Sequence, residues 1–324
     1  MHVKRGRLIG VFDKEKKRKK EIGQKFKTKT FASFSQILAD PEVRCLVIAT
    51  PHFLHFSQAK KALLAKKHVF CEKPLGLNLK EVKEILALAR KQNLRLTVDL
   101  PLRSSPIFKL VKRLIKTKIF GPLHSVFFQN LAGEYRNCPP WYQERDKSGG
   151  WFLTSEIHFF DLLNHLLGFP QKIIAWETKD MKGKTKKTSS LLSFSGKIKA
   201  MIYHDLDTPP GQTQTLYLFL FERGVFLVRG WIPQKGEVFS PFSFPGREFW
   251  EGGKNWQVRK ESDKHYQLHC ITAKEEEYRT LIGQLFAKFL ENIQNPKTKP
   301  LISAREIEEG EKIALQAQKS ADSL

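Results

Sequence analysis

The sequence predicts an α/β fold: a doubly wound parallel sheet over roughly the first hundred residues, then an α+β domain with an open, mostly antiparallel sheet. Three observations carry this. Strand-length apolar runs alternate with helix-period segments as far as Leu100, the alternation stops at Pro101, and the strand-like runs beyond it follow one another until two closing helices. The boundary between a domain of residues 1–101 and one of residues 102–324 is drawn there.

RLIGVF (Arg7 to Phe12) reads as a buried strand closed by Asp13, and Lys14 to Phe26 has a charged helical pattern. Ser33 can cap a short helix through Leu38. CLVIAT (Cys45 to Thr50) is a continuous apolar run, as expected of a parallel strand covered on both faces, and Pro51 ends it. Leu54 to Ala65 is helical, HVFC (His68 to Cys71) a strand, Leu79 to Gln92 a helix, and LRLTVDL (Leu94 to Leu100) a strand. Past Pro101 a helix from Pro106 to Lys116 precedes the long strand LHSVFFQNL (Leu123 to Leu131) and a loop rich in Pro, Trp and Gly. An apolar helix from Trp151 to Leu167 is stopped by Gly168 and Pro170. Strands follow at Lys172 to Thr178, Ser189 to Phe194, Ile198 to His204, Thr215 to Phe221 and Val225 to Val228, then helices at Ala273 to Ile293 and Ser303 to Lys319.

Composition narrows the functional classes. The 324 residues are 41% hydrophobic, with no apolar run near the ~20 residues that span a bilayer and no signal-peptide core at the basic N-terminus, so a cytoplasmic protein is expected. Cys45, Cys71, Cys138 and Cys270 are far apart, which points to reduced thiols rather than disulfides or a zinc knuckle. The net charge of +23 raises the question of a polyanion partner. Of the 56 basic residues 40 are lysine, many scattered singly, and without interleaved aromatics they read as a solvated surface with no nucleic-acid role.

Two stretches draw attention on chemical grounds. Ligands of open α/β sheets bind outside the carboxyl ends of the strands. CEKPLG places Glu72, Lys73 and Pro74 at one such end, and TPHFLH places Thr50, Pro51 and His55 at another. The helix GGWFLTSEIHFFDLLNHLLG is apolar almost all round, yet Thr154, His158, Asp161 and His165 recur at helical spacing in one stripe. Such a stripe must meet partners or a cleft, because an unpaired buried polar group costs roughly 1 to 3 kcal/mol. A satisfied structural network, a catalytic face and a metal site are all open on the pattern alone. His158 and His165 lie about two turns apart, too far to share one ion, and no metal ligand set is assigned.

Together, ATPHFLH, AKKALLAKKHVFCEKPLG, LRSSP, the helix with H-x-x-D followed by LLG-x-P, and the final SAREIEEGEKIALQAQKS resemble the glucose-fructose oxidoreductase and inositol dehydrogenase family. The resemblance implies a Rossmann domain and hydride transfer between NAD or NADP and a hydroxyl or carbonyl carbon of a sugar, cyclitol or related polyol, with a homo-oligomer expected. Carried over by position, Lys73 and His158 are the catalytic pair. Asp13, Thr50, Pro51, His55, Glu72, Lys73 and Pro74 are on the cofactor side, with Asp13 favouring NAD. Thr154, Asp161, Arg103 and Trp141 are on the substrate side, Asp161 as a structural or orienting partner and Arg103 in the R-x-x-P hinge between the domains. The alternative within the same fold is a non-catalytic protein that senses a dinucleotide or sugar.

Two departures stand out. Thr154 occupies a position where the family usually has Asp or Asn, and Glu156 replaces a common glycine. Nothing before Asp13 supplies a G-x-G-x-x-G turn. In the usual 3-2-1-4-5-6 strand order the first strand lies between RLIGVF and CLVIAT, and its absence predicts a reading frame short of roughly 20 to 25 residues, with Met1 internal.

Overall fold

The computed structural model describes residues 6–209, 211–240 and 255–323, so Met1 lies outside the described residues. The first part alternates strand and helix, with the strand expected over Arg7 to Phe12 reduced to two residues and β2 added to the expected order: β1 (Gly10–Val11), α1 (Lys16–Lys25), β2 (Lys29–Thr30), α2 (Phe34–Ala39), β3 (Cys45–Ile48), α3 (His55–Leu64), β4 (His68–Cys71), α4 (Leu79–Lys91) and β5 (Leu96–Val98). Helix starts follow the capping chemistry, since Ser33 accepts from the Gln36 amide at 3.2 Å and Asn78 from the Glu81 amide at 3.0 Å. Leu46, Ile48, Val69 and Val98 of the sheet pack with Ala59, Ala62 and Leu63 of α3 and with Val82 and Ile85 of α4.

Strands β3, β4 and β5 form one parallel sheet, while β1 and β2 pair with each other in a separate one. No described residue supplies a strand joining the two. Val47 in mid-β3 is 59% exposed and Leu8 beside β1 is 54% exposed, values unusual for apolar residues of an inner parallel strand.

Beyond a 3-10 turn (Pro101–Ser104) come α5 (Pro106–Thr117), β6 (Leu123–Leu131), 3-10 turns at Gly133–Asn137 and Pro140–Tyr142, and α6 (Arg145–Ser148). A π-helical segment, Phe152–Glu156, runs into α7 (Ile157–Leu167). Then follow β7 (Lys172–Lys179), β8 (Thr185–Ser193), β9 (Lys199–Asp205), β10 (Gln214–Phe221), β11 (Gly224–Arg229), β12 (Lys235–Phe239), β13 (Trp256–Ser262), β14 (His265–Cys270), α8 (Lys274–Gln294) and α9 (Ala304–Ala321).

The strands from β6 onward make a nine-stranded sheet in the order β13-β14-β12-β11-β10-β6-β9-β8-β7, antiparallel except for β6 against β9. One face buries Phe128, Ile202, Tyr217 and Phe226 against Phe159, Phe160 and Leu163 of α7. The other leaves Phe127, Trp176, Met201 and Phe239 exposed. The two closing helices are shared: Leu285 and Phe289 of α8 and Ile307 of α9 belong to the core of the parallel sheet, whereas Ile313, Ala314 and Ala317 of α9 belong to that of the second sheet. The second sequence domain therefore helps build the first.

Candidate active site

The loops after β3, β4 and β5 gather at one edge of the parallel sheet, where the start of α7 meets them. Lys73 donates its ammonium to the Thr154 carbonyl, linking the loop after β4 to the π-helical segment. That segment widens the helix locally and alters the α-helical register that placed Thr154 and His158 in one stripe. The Thr154 hydroxyl turns instead to the Ser148 carbonyl, at 3.2 Å.

Burial lowers the Lys73 pKa, against the opposing pull of Glu72 and Asp99. His158 is buried beside it, and burial followed by the Lys73 charge pushes its pKa well below the ordinary value, so the ring is neutral at pH 7. Its Nδ1 is buried and finds no protein partner. Trp231, in the turn after β11, sets its ring edge-on to His158 at 4.7 Å between centroids. A neutral imidazole with an unclaimed nitrogen, next to an ammonium donor, suits a polar ligand that exchanges a proton.

The loop carrying Lys73 is tied on three sides. His55 contacts the Pro74 carbonyl at 2.6 Å and the Thr50 carbonyl at 2.7 Å through its two ring nitrogens. Both ring nitrogens thereby face the backbone, and His55 ties the two loops together. Glu311 of α9 accepts from the Leu75 amide at 2.5 Å and the Gly76 amide at 3.4 Å. Glu81 accepts from the Leu77 amide at 2.8 Å.

The remaining site residues fall in different places. Asp13 follows β1, where one carboxylate oxygen accepts from the Glu15 amide at 2.8 Å and the other lies 3.5 Å from Arg18. The Thr50 hydroxyl donates to Gln58 at 2.9 Å. Trp141 packs edge-on against His52 and Phe53 at 4.9 and 6.1 Å, joining the loop before α6 to the turn after β3.

Asp161 and Arg103 face each other. Arg103 grips both Asp161 oxygens, at 2.7 and 2.5 Å, with side-chain exposures of 0% and 1%. It also bonds Glu306 of α9 and lies 3.1 Å from His165 Nδ1. The polar stripe thus divides, His158 facing the lysine and Asp161 and His165 facing the arginine.

Several residues escaped the sequence reading because each is an isolated polar position in an otherwise ordinary element. Asp99 follows β5 next to Glu72 and Lys73, and Tyr278 on α8 feels the charges of Asp99 and Glu72. Beneath α7, Thr215, Asn130, His204 and Ser155 form a buried hydrogen-bonded chain across three strands and the helix. Glu156 faces this interior, where its carboxyl accepts from Ser190 at 3.1 Å.

Burial pushes the carboxyl groups of Glu156 and Glu311 up to about 8 each. Between an unfolded value near 4.5 and that folded value, the native state holds protons that the unfolded chain lacks, so stability falls as pH rises through this window. The slope is up to about 1.4 kcal/mol per pH unit for each group. Urea unfolding from about pH 5 to about pH 8 should show it, and Glu156→Gln should remove its share. An identical slope in the variant would mean Glu156 is ionised in the fold.

Two family models match the chain: "Oxidoreductase family, NAD-binding Rossmann fold" over residues 1–100 and "GFO/IDH/MocA C-terminal domain" over residues 108–226. An uncharacterized oxidoreductase of Synechocystis sp. is 36% identical over 149 residues, 45% of this chain and 40% of that protein. Myo-inositol 2-dehydrogenase of Thermotoga maritima is 28% identical over 162 residues, 50% of this chain and 47% of that protein. The matched stretch spans less than half of either relative. Levoglucosan dehydrogenase, solved in complex with NADH and levoglucosan, superposes with a TM-score of 0.79 at 17% identity, over 97% of this chain and 88% of that one. At that identity the likeness is one of fold.

Proposed function

Because the chain belongs to the GFO/IDH/MocA oxidoreductase family, whose N-terminal domain is an NAD-binding Rossmann fold, we propose that it transfers a hydride between a nicotinamide dinucleotide and a hydroxyl-bearing carbon of a polyol such as a sugar or cyclitol. The observation that carries this reading is the meeting of Lys73 with a buried, neutral His158 at the carboxyl edge of the parallel sheet. The unpartnered Nδ1 of His158 fits a polar ligand there. Glu72, Lys73 and Asp99 would flank the nicotinamide end, and Asp13 and Thr50 the adenosine end.

A bound nicotinamide supplies the hydride acceptor. Lys73 donates a hydrogen bond to the substrate oxygen and stabilises the negative charge that develops on it. His158 takes the hydroxyl proton, which its neutral state allows. Trp231 walls the histidine from solvent and offers a flat apolar face to a ring substrate. The exposed Phe127, Trp176 and Met201 on one face of the second sheet support a second copy of the chain as the partner there.

The test is reduction of NAD or NADP in the presence of myo-inositol or levoglucosan, the polyols named for relatives, followed by nicotinamide absorbance. Turnover that depends on the polyol supports the reading. Dinucleotide binding with no turnover on a polyol panel would move the protein to the sensing role. Titration with both reduced cofactors should show NADH bound more tightly than NADPH, because the Asp13 carboxylate repels a 2′-phosphate. Tighter NADPH would mean that Arg18, 3.5 Å from Asp13, and the nearby lysines decide the preference instead.

A further inference from the structure

Asp99 is a buried acid to which the proposed reaction assigns no proton or bond. It stands one residue past β5, is 3% exposed, and has a carboxylate oxygen, Oδ1, with no hydrogen-bond partner. Its backbone amide donates to the Cys71 carbonyl at 2.8 Å, which fixes it beside the residue that precedes Glu72 and Lys73. Glu72 and Asp99 are the positions directly after the paired Cys71 and Val98 of adjacent parallel strands, which sets the two carboxyl-bearing residues side by side. Two ionised carboxylates held so close repel, whereas one proton between them makes a hydrogen bond. Water cannot relieve the repulsion at Oδ1, because that atom is buried.

The surroundings define what such a pair can act on. From the loop after β4 come Glu72 and Lys73, from β4 itself the buried thiol of Cys71, and from α8 the phenol of Tyr278. Glu311 of α9 reaches the same neighbourhood through Cys71. Lys73 supplies the positive charge next to the pair, and both carboxyl groups favour its ammonium form.

We propose that Asp99 and Glu72 hold one proton between them and, by gaining or losing it, set the charge on Lys73, which makes Asp99 a positioning residue for the lysine's hydrogen bond to substrate. With the proton in place, one negative charge faces the lysine. Without it, two do, and the ammonium is held to higher pH. Burial, followed by the Glu72 charge, raises the pKa of Asp99, consistent with a shared proton near neutrality. The inference rests on the proposed catalytic role of Lys73 for its consequence, but the proton sharing stands without it.

The experiment follows the lysine directly. The full chain, labelled with 13C at the lysine Cε and free of cofactor, is titrated by NMR, with the Lys73 resonance assigned by its loss in Lys73→Met. In the unmodified chain the resonance should show a second inflection, reporting the carboxyl pair. Asp99→Asn should abolish that inflection and lower the Lys73 midpoint by roughly one pH unit, since a neighbouring negative charge has been lost. Glu72→Gln should abolish the inflection as well, because removing either member breaks the pair. It reads the same step if the asparagine variant does not fold. A Lys73 curve that Asp99→Asn leaves unchanged, or moves to higher pH, overturns the proposal. A chain that titrates as expected but turns over no polyol keeps the shared proton and removes only the catalytic reading. Where turnover is present, the pH profile of kcat should lose the same step in Asp99→Asn.

Discussion

Lys73→Met should lower polyol-dependent turnover by roughly 100-fold or more while the protein stays folded, as expected when a donor to a developing oxyanion is removed. Methionine keeps the length and much of the apolar stem of lysine. The variant gives up the bond to the Thr154 carbonyl and the charge that depresses His158, so the histidine should titrate at higher pH. Rate and histidine titration are thus expected to move together. A folded variant with an unchanged rate would take Lys73 out of the mechanism.

Arg103→Leu should destabilise the fold by about 3 to 5 kcal/mol, because it leaves the Asp161 carboxylate buried without its counter-charge. The arginine side chain is fully buried, holds both Asp161 oxygens, and joins the turn after β5 to α7 and α9 through Asp161, His165 and Glu306. Urea unfolding of the single variant, and of a double variant with Asp161→Leu, separates the cause. The double should recover much of the loss, since removing both charges leaves no uncompensated group. A single variant within about 1 kcal/mol of the parent would mean that the Arg103–Asp161 pair does not hold the fold.

The parts of the fold that sequence made legible are those where one periodicity dominates. CLVIAT and HVFC are short continuous apolar runs and Ser33 announces its helix through capping chemistry, so these elements were expected nearly to the residue, although Val47 of CLVIAT turns out exposed. Strands β12 to β14 were not. KGEVF, WQVRKES and HYQLHC bury alternate or fewer side chains and carry charged or polar residues on the other face, so no continuous apolar run marks them. The π-helical turn at Phe152–Glu156 also gave no signal, because its residues are ordinary helix formers and all five are buried.

The candidate site was legible where chain proximity and chemistry coincide, as in CEKPLG. It was opaque where partners come from far along the chain. Asp161 sits one turn from His158 and shares its stripe, yet its destination is decided by Arg103, 58 residues earlier in the chain. Asp99 looks like the polar end of a strand until the fold sets it against Glu72. Neither relation has a local pattern, because tertiary packing alone creates it.

The bond from Glu311 to the Leu75 amide spans 236 positions of the chain. During synthesis the loop bearing Lys73 emerges long before the helix that holds it. At roughly 5 to 20 residues per second, ribosomes need on the order of ten to fifty seconds to cover that interval. Throughout it the parallel sheet can assemble locally, but the lysine loop waits for its last tether. Chemical competence is therefore a late event in the life of each molecule, and a nascent chain stalled before α9 would carry the lysine on a loop not yet held in place.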